Sequence, residues 1–262
     1  MLAMRPMRLL ALETSTERLS LAIVNGGELF AREMDAGQRH SELAIAELNG
    51  LLRDAGCMLA DLDAIAFGRG PGSFVGVRIA CGLAMGLALG AGKPLLPVGT
   101  LMALAEQADA DRVLVAVDAR VGEFYVAAYA RSETDASGWH ALVEPLLARA
   151  DQLPILAGTD WVAIGSAFDS PALKLVLAER YGRQLSRVQH GCLPSARQVA
   201  GIAARRIARV GMAAAVASEP ATPLYLRNHV ADTIAERRVA KATKHLQKQH
   251  DAQQSIVPDV AA

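Results

Sequence analysis

The sequence predicts an α/β protein of two successive units, each a mixed sheet flanked by helices, and three observations carry that expectation. The first hundred or so residues read in the order β-β-β-α-β-α-β-α, which needs both hairpin strands and parallel crossover strands in one sheet. A second strand pair, "RVLVAVDA" and "EFYVAAYA", then echoes the pair that opens near Leu9. The composition is 52% hydrophobic but only 4% aromatic, so Ala, Leu and Val must fill the core, and such cores bring helices close together.

In chain order, "RLLALETS" and "RLSLAIVNGGELFAREM" give three strands, and Asn25-Gly26-Gly27 is a hairpin turn signal because Asn-Gly readily takes positive φ. "HSELAIAELNGLLRDAG" is a helix with Leu43, Leu48, Leu51 and Leu52 near one face, Ser41 or His40 as N-cap candidates, and Gly56 suited to its C-terminal turn. "DAIAFG" and "PLLPVG" read as buried strands, "SFVGVRIACGLAMGLALGAG" as the second helix, and "TLMALAEQA" as a third that Thr100 can cap. In the second unit the polar stretch 131–140 reads as a hairpin tip or surface loop. "WVAIGSAF" reads as a strand, and "SPALKLVLAERYG" and "SARQVAGIAARRIARVG" as helices. "EPATPLYLRNHVA" is extended and proline-punctuated. The expected domains are 1–108, 109–231 and a polar, glutamine-rich tail 232–262, disordered or partly helical.

Charge and cysteine content narrow the function classes. Lys plus Arg equals Asp plus Glu at 27 each, so the chain lacks the basic excess of a stand-alone nucleic-acid binder. Cys57, Cys81 and Cys192 are odd in number and far apart, which fits free thiols in a reducing compartment rather than a metal site or a disulfide. The apolar run at the N-terminus is broken by Glu13, so no signal peptide is expected, with Met4 and Met7 as alternative starts to Met1. The apolar run 79–91 is shorter than the ~20 residues of a membrane span. A cytoplasmic protein with no membrane association is expected.

The segment "FGRGPGSFVGVRIA" has the strand–glycine turn–helix arrangement of phosphate-binding loops. Both nucleotide patterns fail in it: the dinucleotide pattern lacks its third glycine from either start, and the mononucleotide loop lacks its lysine. Two readings remain, an anion held at a helix N-terminus capped by Ser73, or an ordinary capped helix after a tight turn. Within that helix, Gly82, Gly86 and Gly90 recur every four residues, as do Gly76, Ala80, Ala84 and Ala88. Interior glycines cost roughly 1 kcal/mol each in helix propensity, so a close backbone neighbour is expected there. One small-residue face suits packing within the chain; a second leaves room for a partner.

The blocks "LLALETSTERLSLAIV", "RHSELAIAELNGLL", "GRGPGSFVGVRIACGLAMGLA", "PLLPVGTLMALA", "VAVDARVGEFYVAAYA" and "PLYLRNHVA" occur in the order found in the bacterial TsaB (YeaZ) family. The resemblance spans about residues 7–231, and G-P-G-S-F-x-G-x-R is its most specific motif. It implies an actin-like (ASKHA, RNase H-like) fold of two related lobes. It also implies a non-catalytic role in making N6-threonylcarbamoyladenosine at tRNA position 37. The implied partners are a catalytic TsaD-type paralogue and a TsaE-type ATPase, with a homodimer in isolation and tRNA reached only through the complex. The partner contacts implied are on the first-lobe helices, here with Gly76, Arg78, Ala80, Gly82, Ala84 and Gly86 as close-contact positions.

Active proteins of that fold present a D-x-G-[ST] hairpin from each lobe, the acid orienting metal or water and the glycine letting backbone approach phosphate. Here the first hairpin is Glu13-Thr14-Ser15-Thr16 and the second Asp118-Ala119-Arg120, both without the glycine, and the adenine-side pair is reduced to Gly165-Ser166. A degenerate cleft is expected, with no required cofactor, weak ATP or ADP binding, no catalytic residue and no metal. His40 is followed four positions later by Ala44, so a helical H-x-x-x-H pair is absent. The alternatives are a small kinase of the same fold using Asp118 or Glu13 with Mg²⁺, and a glycoprotease-like peptidase. No H-E-x-x-H or G-x-S-x-G motif supports the peptidase.

Overall fold

The computed structural model describes residues 7–217 and 221–227. The first sheet comprises β1 (Arg8–Glu13), β2 (Arg18–Asn25), β3 (Glu28–Asp35), β4 (Ala64–Gly68) and β5 (Leu95–Val98), in the order β3-β2-β1-β4-β5. β1–β2 and β2–β3 are antiparallel, whereas β1–β4 and β4–β5 are parallel. The second sheet comprises β6 (Arg112–Asp118), β7 (Glu123–Arg131), β8 (Trp139–Arg149), β9 (Trp161–Ile164) and β10 (Leu185–Gln189), in the order β8-β7-β6-β9-β10. Its pairing senses repeat those of the first. Two lobes of identical strand order and sense make this the actin-like fold.

Each central strand is apolar along its length because both of its faces are covered. In β1, Leu10 and Leu12 join the core under helices α1 (His40–Asp54) and α2 (Phe74–Ala91), while Leu9 and Ala11 face the opposite core. In β6, Leu114 and Ala116 pack toward α4 (Pro171–Val176), and Val113, Val115 and Val117 pack toward α3 (Thr100–Ala105). α4 runs on as a π-helical turn, Leu177–Tyr181.

The last helix, α5 (Ala196–Ala217), departs from the expected domain boundaries. It does not cover the second sheet. Ala196, Val199, Ala200, Ile202 and Ala203 pack against Leu9, Ala11, Ala64, Ala66, Leu96 and Val98 of the first. Small residues on both sides allow that close approach. Arg206, 4% exposed, anchors the helix by donating to the Pro97 carbonyl at 2.8 Å. Conversely α3, which follows the first sheet in sequence, packs Leu101, Leu104 and Ala105 on the second. The described residues up to Leu226 therefore form one compact unit. The expected tail 232–262 lies outside the described residues.

Other local expectations change for identifiable reasons. α1 starts after Arg39 without a side-chain cap; His40 is buried and Ser41 exposed, so neither serves as N-cap. Gly56 takes φ +62° after the helix, as expected. Thr100 is the first residue of α3 rather than its cap, because its hydroxyl is committed elsewhere. The polar stretch 131–140 forms a short loop and then enters β8, an edge strand whose half-buried pattern and Pro145 hid it from the sequence reading.

Candidate functional site

The glycine segment between β4 and α2 holds the chain's own β1–β2 turn. A Cβ on Gly76 would lie 2.0 Å from the Thr14 carbonyl oxygen, one on Gly72 2.6 Å from the Ser15 Cβ, and one on Gly68 1.8 Å from Glu13 Oε2. The Thr14 hydroxyl donates to the Gly76 carbonyl at 2.7 Å, and the Ser73 N–H donates to the Ser15 carbonyl at 2.7 Å. Ser73 caps α2, its Oγ accepting from the Gly76 N–H at 3.4 Å. The backbone of residues 72–76 thus fills the space next to Thr14 and Ser15, and of the two readings of this loop the structure favours the capped helix.

Glu13 sits behind this contact. It is 1% exposed; its Oε1 accepts from the Ser15 N–H at 2.6 Å and its Oε2 from the Thr100 hydroxyl at 3.0 Å. Thr100 Oγ1 in turn accepts from the Gly70 N–H at 3.0 Å. Burial pushes the Glu13 carboxyl above its ordinary value and outweighs the hydrogen bonds from Ser15 and Thr100. Thr16 is half-buried and accepts from the Arg18 N–H at 3.3 Å.

The second hairpin is built differently. Asp118 is exposed; its Oδ1 accepts from the Arg120 N–H at 2.8 Å, and its own N–H reaches Ser166 Oγ at 3.5 Å. Arg120 and Val121 carry φ of +68° and +56°, so a β-branched side chain occupies a left-handed position at the tip. Gly165, at φ +134°, brings β9 against β6, since a Cβ there would lie 2.1 Å from the Ala116 carbonyl oxygen. The Glu13 set and the Asp118 set are held by separate hydrogen bonds. Among the described residues no group of three His, Cys, Asp or Glu side chains is arranged to hold a metal ion.

α2 separates the two small-residue stripes. Gly76, Ala80, Ala84 and Ala88 are buried within the chain, so the first three, expected at a partner contact, are not available to one. Gly82, Gly86 and Gly90 are exposed, with no atom within 4 Å of the position a Cβ would take. Around them Val75, Met85 and Leu89 are exposed at 63%, 50% and 87%. By length and composition alone α2 could cross a membrane, longer than the run read from the sequence, but its alanine stripe is packed in the first lobe. Arg78 is its one charged residue and is exposed.

Sequence spacing does not reveal what holds Arg78. Its Nε donates to the Tyr225 hydroxyl at 2.7 Å, and its guanidinium carbon lies 3.6 Å from the Phe74 ring centroid and 5.5 Å from that of Tyr225. The Leu224 N–H donates to the Arg69 carbonyl at 2.7 Å, and Arg69 Nε donates to the Thr222 carbonyl at 3.2 Å, binding the 221–226 segment beside the glycine loop.

The profile of the family described as "TsaD: tRNA N6-adenosine threonylcarbamoyltransferase" matches residues 34–262. The Escherichia coli K12 protein named "tRNA threonylcarbamoyladenosine biosynthesis protein TsaB" is 39% identical over 237 residues, which cover 86% of this chain and 96% of that protein. The chain belongs to the TsaB family. The Bacillus subtilis TsaB is 31% identical over 172 residues, 64% of this chain and 70% of that one. A solved structure titled "YeaZ from Pseudomonas aeruginosa" superposes with a TM-score of 0.72 at 32% identity, covering 84% of this chain and all of that one. The glycine segment and the bare face of α2 thus belong to a TsaB-type chain.

Proposed function

We propose that this chain acts in the biosynthesis of N6-threonylcarbamoyladenosine in tRNA as a non-catalytic subunit, docking a TsaD-type catalytic subunit on the exposed face of α2. The observation that carries the proposal is the contrast along that helix. One stripe is consumed by internal packing, while Gly82 and Gly86 lie open beneath exposed Met85 and Leu89. Glycines at open helical positions weaken the helix with no return inside the chain. Their use is the close approach of another backbone.

The filled space beside Thr14–Ser15 and the commitment of both Glu13 oxygens to internal hydrogen bonds support a subunit that leaves the chemistry to its neighbour. Its contribution is to favour the productive conformation of that neighbour through differential binding. The same face would pair two copies when the catalytic subunit is absent. The proposal places the chain in the cytoplasm, with a TsaE-type ATPase joining the assembly and tRNA reached through it. It requires no cofactor, and it assigns any weak ATP or ADP binding to the second hairpin, near Asp118 and Gly165.

The test is complex formation with the catalytic subunit of the same host, followed by gel filtration. Wild type is expected to co-elute, and Gly82→Leu or Gly86→Leu to elute alone with a thermal unfolding midpoint no lower than that of wild type. Co-elution of both variants would refute the docking face.

A further inference from the structure

We infer that Arg78 is a preset receptor for a carboxylate on the protein that docks on α2, and that Tyr225 is the residue that positions it. This rests on the docking proposal above and adds the chemistry of the partner. A free arginine side chain on a helix surface samples many rotamers, and ordering it opposes binding. Here Phe74 lies under the guanidinium plane at 3.6 Å, and the two rings approach each other with centroids 5.6 Å apart. The Tyr225 hydroxyl occupies Nε, and among the described residues no hydrogen bond engages Nη1 or Nη2.

Among the described residues no carboxylate lies within ion-pair distance of Arg78, and α2 contains no acidic residue. That differs from other arginines of the first lobe. Arg32 is paired with Glu47 and Asp54, and Arg39 with Glu42. An oriented guanidinium with two parallel N–H donors matches a carboxylate bidentately. Arginine flanked by two aromatics and exposed apolar side chains is also the composition of an interface hot spot. RNA phosphate would present similar oxygens. But the outer face of α2 is otherwise uncharged, and phosphate-backbone binding draws on several cations at once. The occupant is therefore an Asp or Glu of a partner protein.

Tyr225 supplies the fixed geometry. The 221–226 segment is held by Leu224 and Arg69 independently of the tyrosine hydroxyl, so Tyr225→Phe removes the Nε contact while leaving the segment in place.

The experiment is titration calorimetry of the full chain against the catalytic subunit of the same host, with wild type, Arg78→Met, Arg78→Lys and Tyr225→Phe. Arg78→Met is expected to weaken binding at least roughly tenfold, with a shallower salt dependence. Arg78→Lys is expected to recover little of that loss, because an ammonium has no fork. Tyr225→Phe should weaken binding by a smaller factor and keep the wild-type salt dependence. All unfolding midpoints should stay at the wild-type value, since Arg78 is exposed. Wild-type affinity in Arg78→Met, or full recovery in Arg78→Lys, would overturn the inference while leaving the docking face intact if Gly86→Leu still abolishes binding. No binding by wild type would instead defeat the docking proposal, and the Arg78 inference with it. Binding of tRNA by the isolated chain that Arg78→Met removes would identify a phosphate receptor and also overturn the inference.

Discussion

Glu13 and Thr100 meet in the interior across 3.0 Å, a carboxyl from the end of the first strand against a hydroxyl from the first turn of α3. Thr100 passes the contact on to the Gly70 N–H, so one buried acid ties together the first hairpin, the glycine loop and the helix that serves the second sheet.

This acid should make stability fall with rising pH. The folded-state value of Glu13 is raised by burial, whereas the unfolded chain titrates near the ordinary 4.5. Below that value both states hold the proton and the contribution is fully present. As pH rises toward the folded value the unfolded chain loses its proton first, and stability declines. Glu13→Gln keeps an acceptor for Ser15 and removes the titration. Its unfolding midpoint should match wild type in acid and exceed it at neutral pH. A constant difference at all pH values would contradict this.

Two glycines of α2 should answer oppositely to alanine. At Gly76 the new Cβ meets the Thr14 carbonyl at 2.0 Å, a backbone atom that cannot swing aside. Gly76→Ala should destabilise the chain by roughly 1–3 kcal/mol or more, as overpacking does. Gly82→Ala meets nothing and should stabilise it by up to about 1 kcal/mol from helix propensity. Urea unfolding of both variants is the measurement.

Glu106 provides the converse pH dependence. Burial alone would raise its carboxyl, but hydrogen bonds from Arg205 and Trp139 and the charges of Arg205 and Arg131 hold it below the ordinary range. Its contribution is present above the ordinary value and lost as pH falls through the lowered one. Glu106→Gln leaves Arg205 and Arg131 without their counter-charge. It should cost on the order of 1–3 kcal/mol at neutral pH and less in acid. An unchanged midpoint at pH 7 would refute that role.

Val121 should be replaceable with profit. It is 88% exposed and left-handed at φ +56°. Left-handed backbone costs an L-residue roughly 1–2 kcal/mol, and Asn or Gly relieves it. Val121→Asn should raise the unfolding midpoint. A lower midpoint would mean that the tip is held by contacts of the valine itself.

The strands of both hairpins were readable because they are carried by local pattern: continuous apolar runs and an Asn-Gly turn. The glycines of residues 68–76 were readable as a close approach, but not what approaches, since Thr14 and Ser15 lie some sixty residues away. The Gly76–Ala88 and Gly82–Gly90 stripes look alike in sequence. Only the position of the sheet shows that one is internal and the other bare. Tyr225 could not be linked to Arg78 from spacing, because nothing local fixes where a proline-punctuated segment returns. α5 reads as an ordinary amphipathic helix, and which sheet it covers is a tertiary choice.

That choice bears on cooperativity. α3 is embedded in the core of the far half through Leu101 and Leu104, and α5 in that of the near half through Val199 and Ile202, where Ala103 of α3 joins it. Each sheet's core is therefore completed by a helix from the other half of the chain, and the two halves should melt together in a single transition.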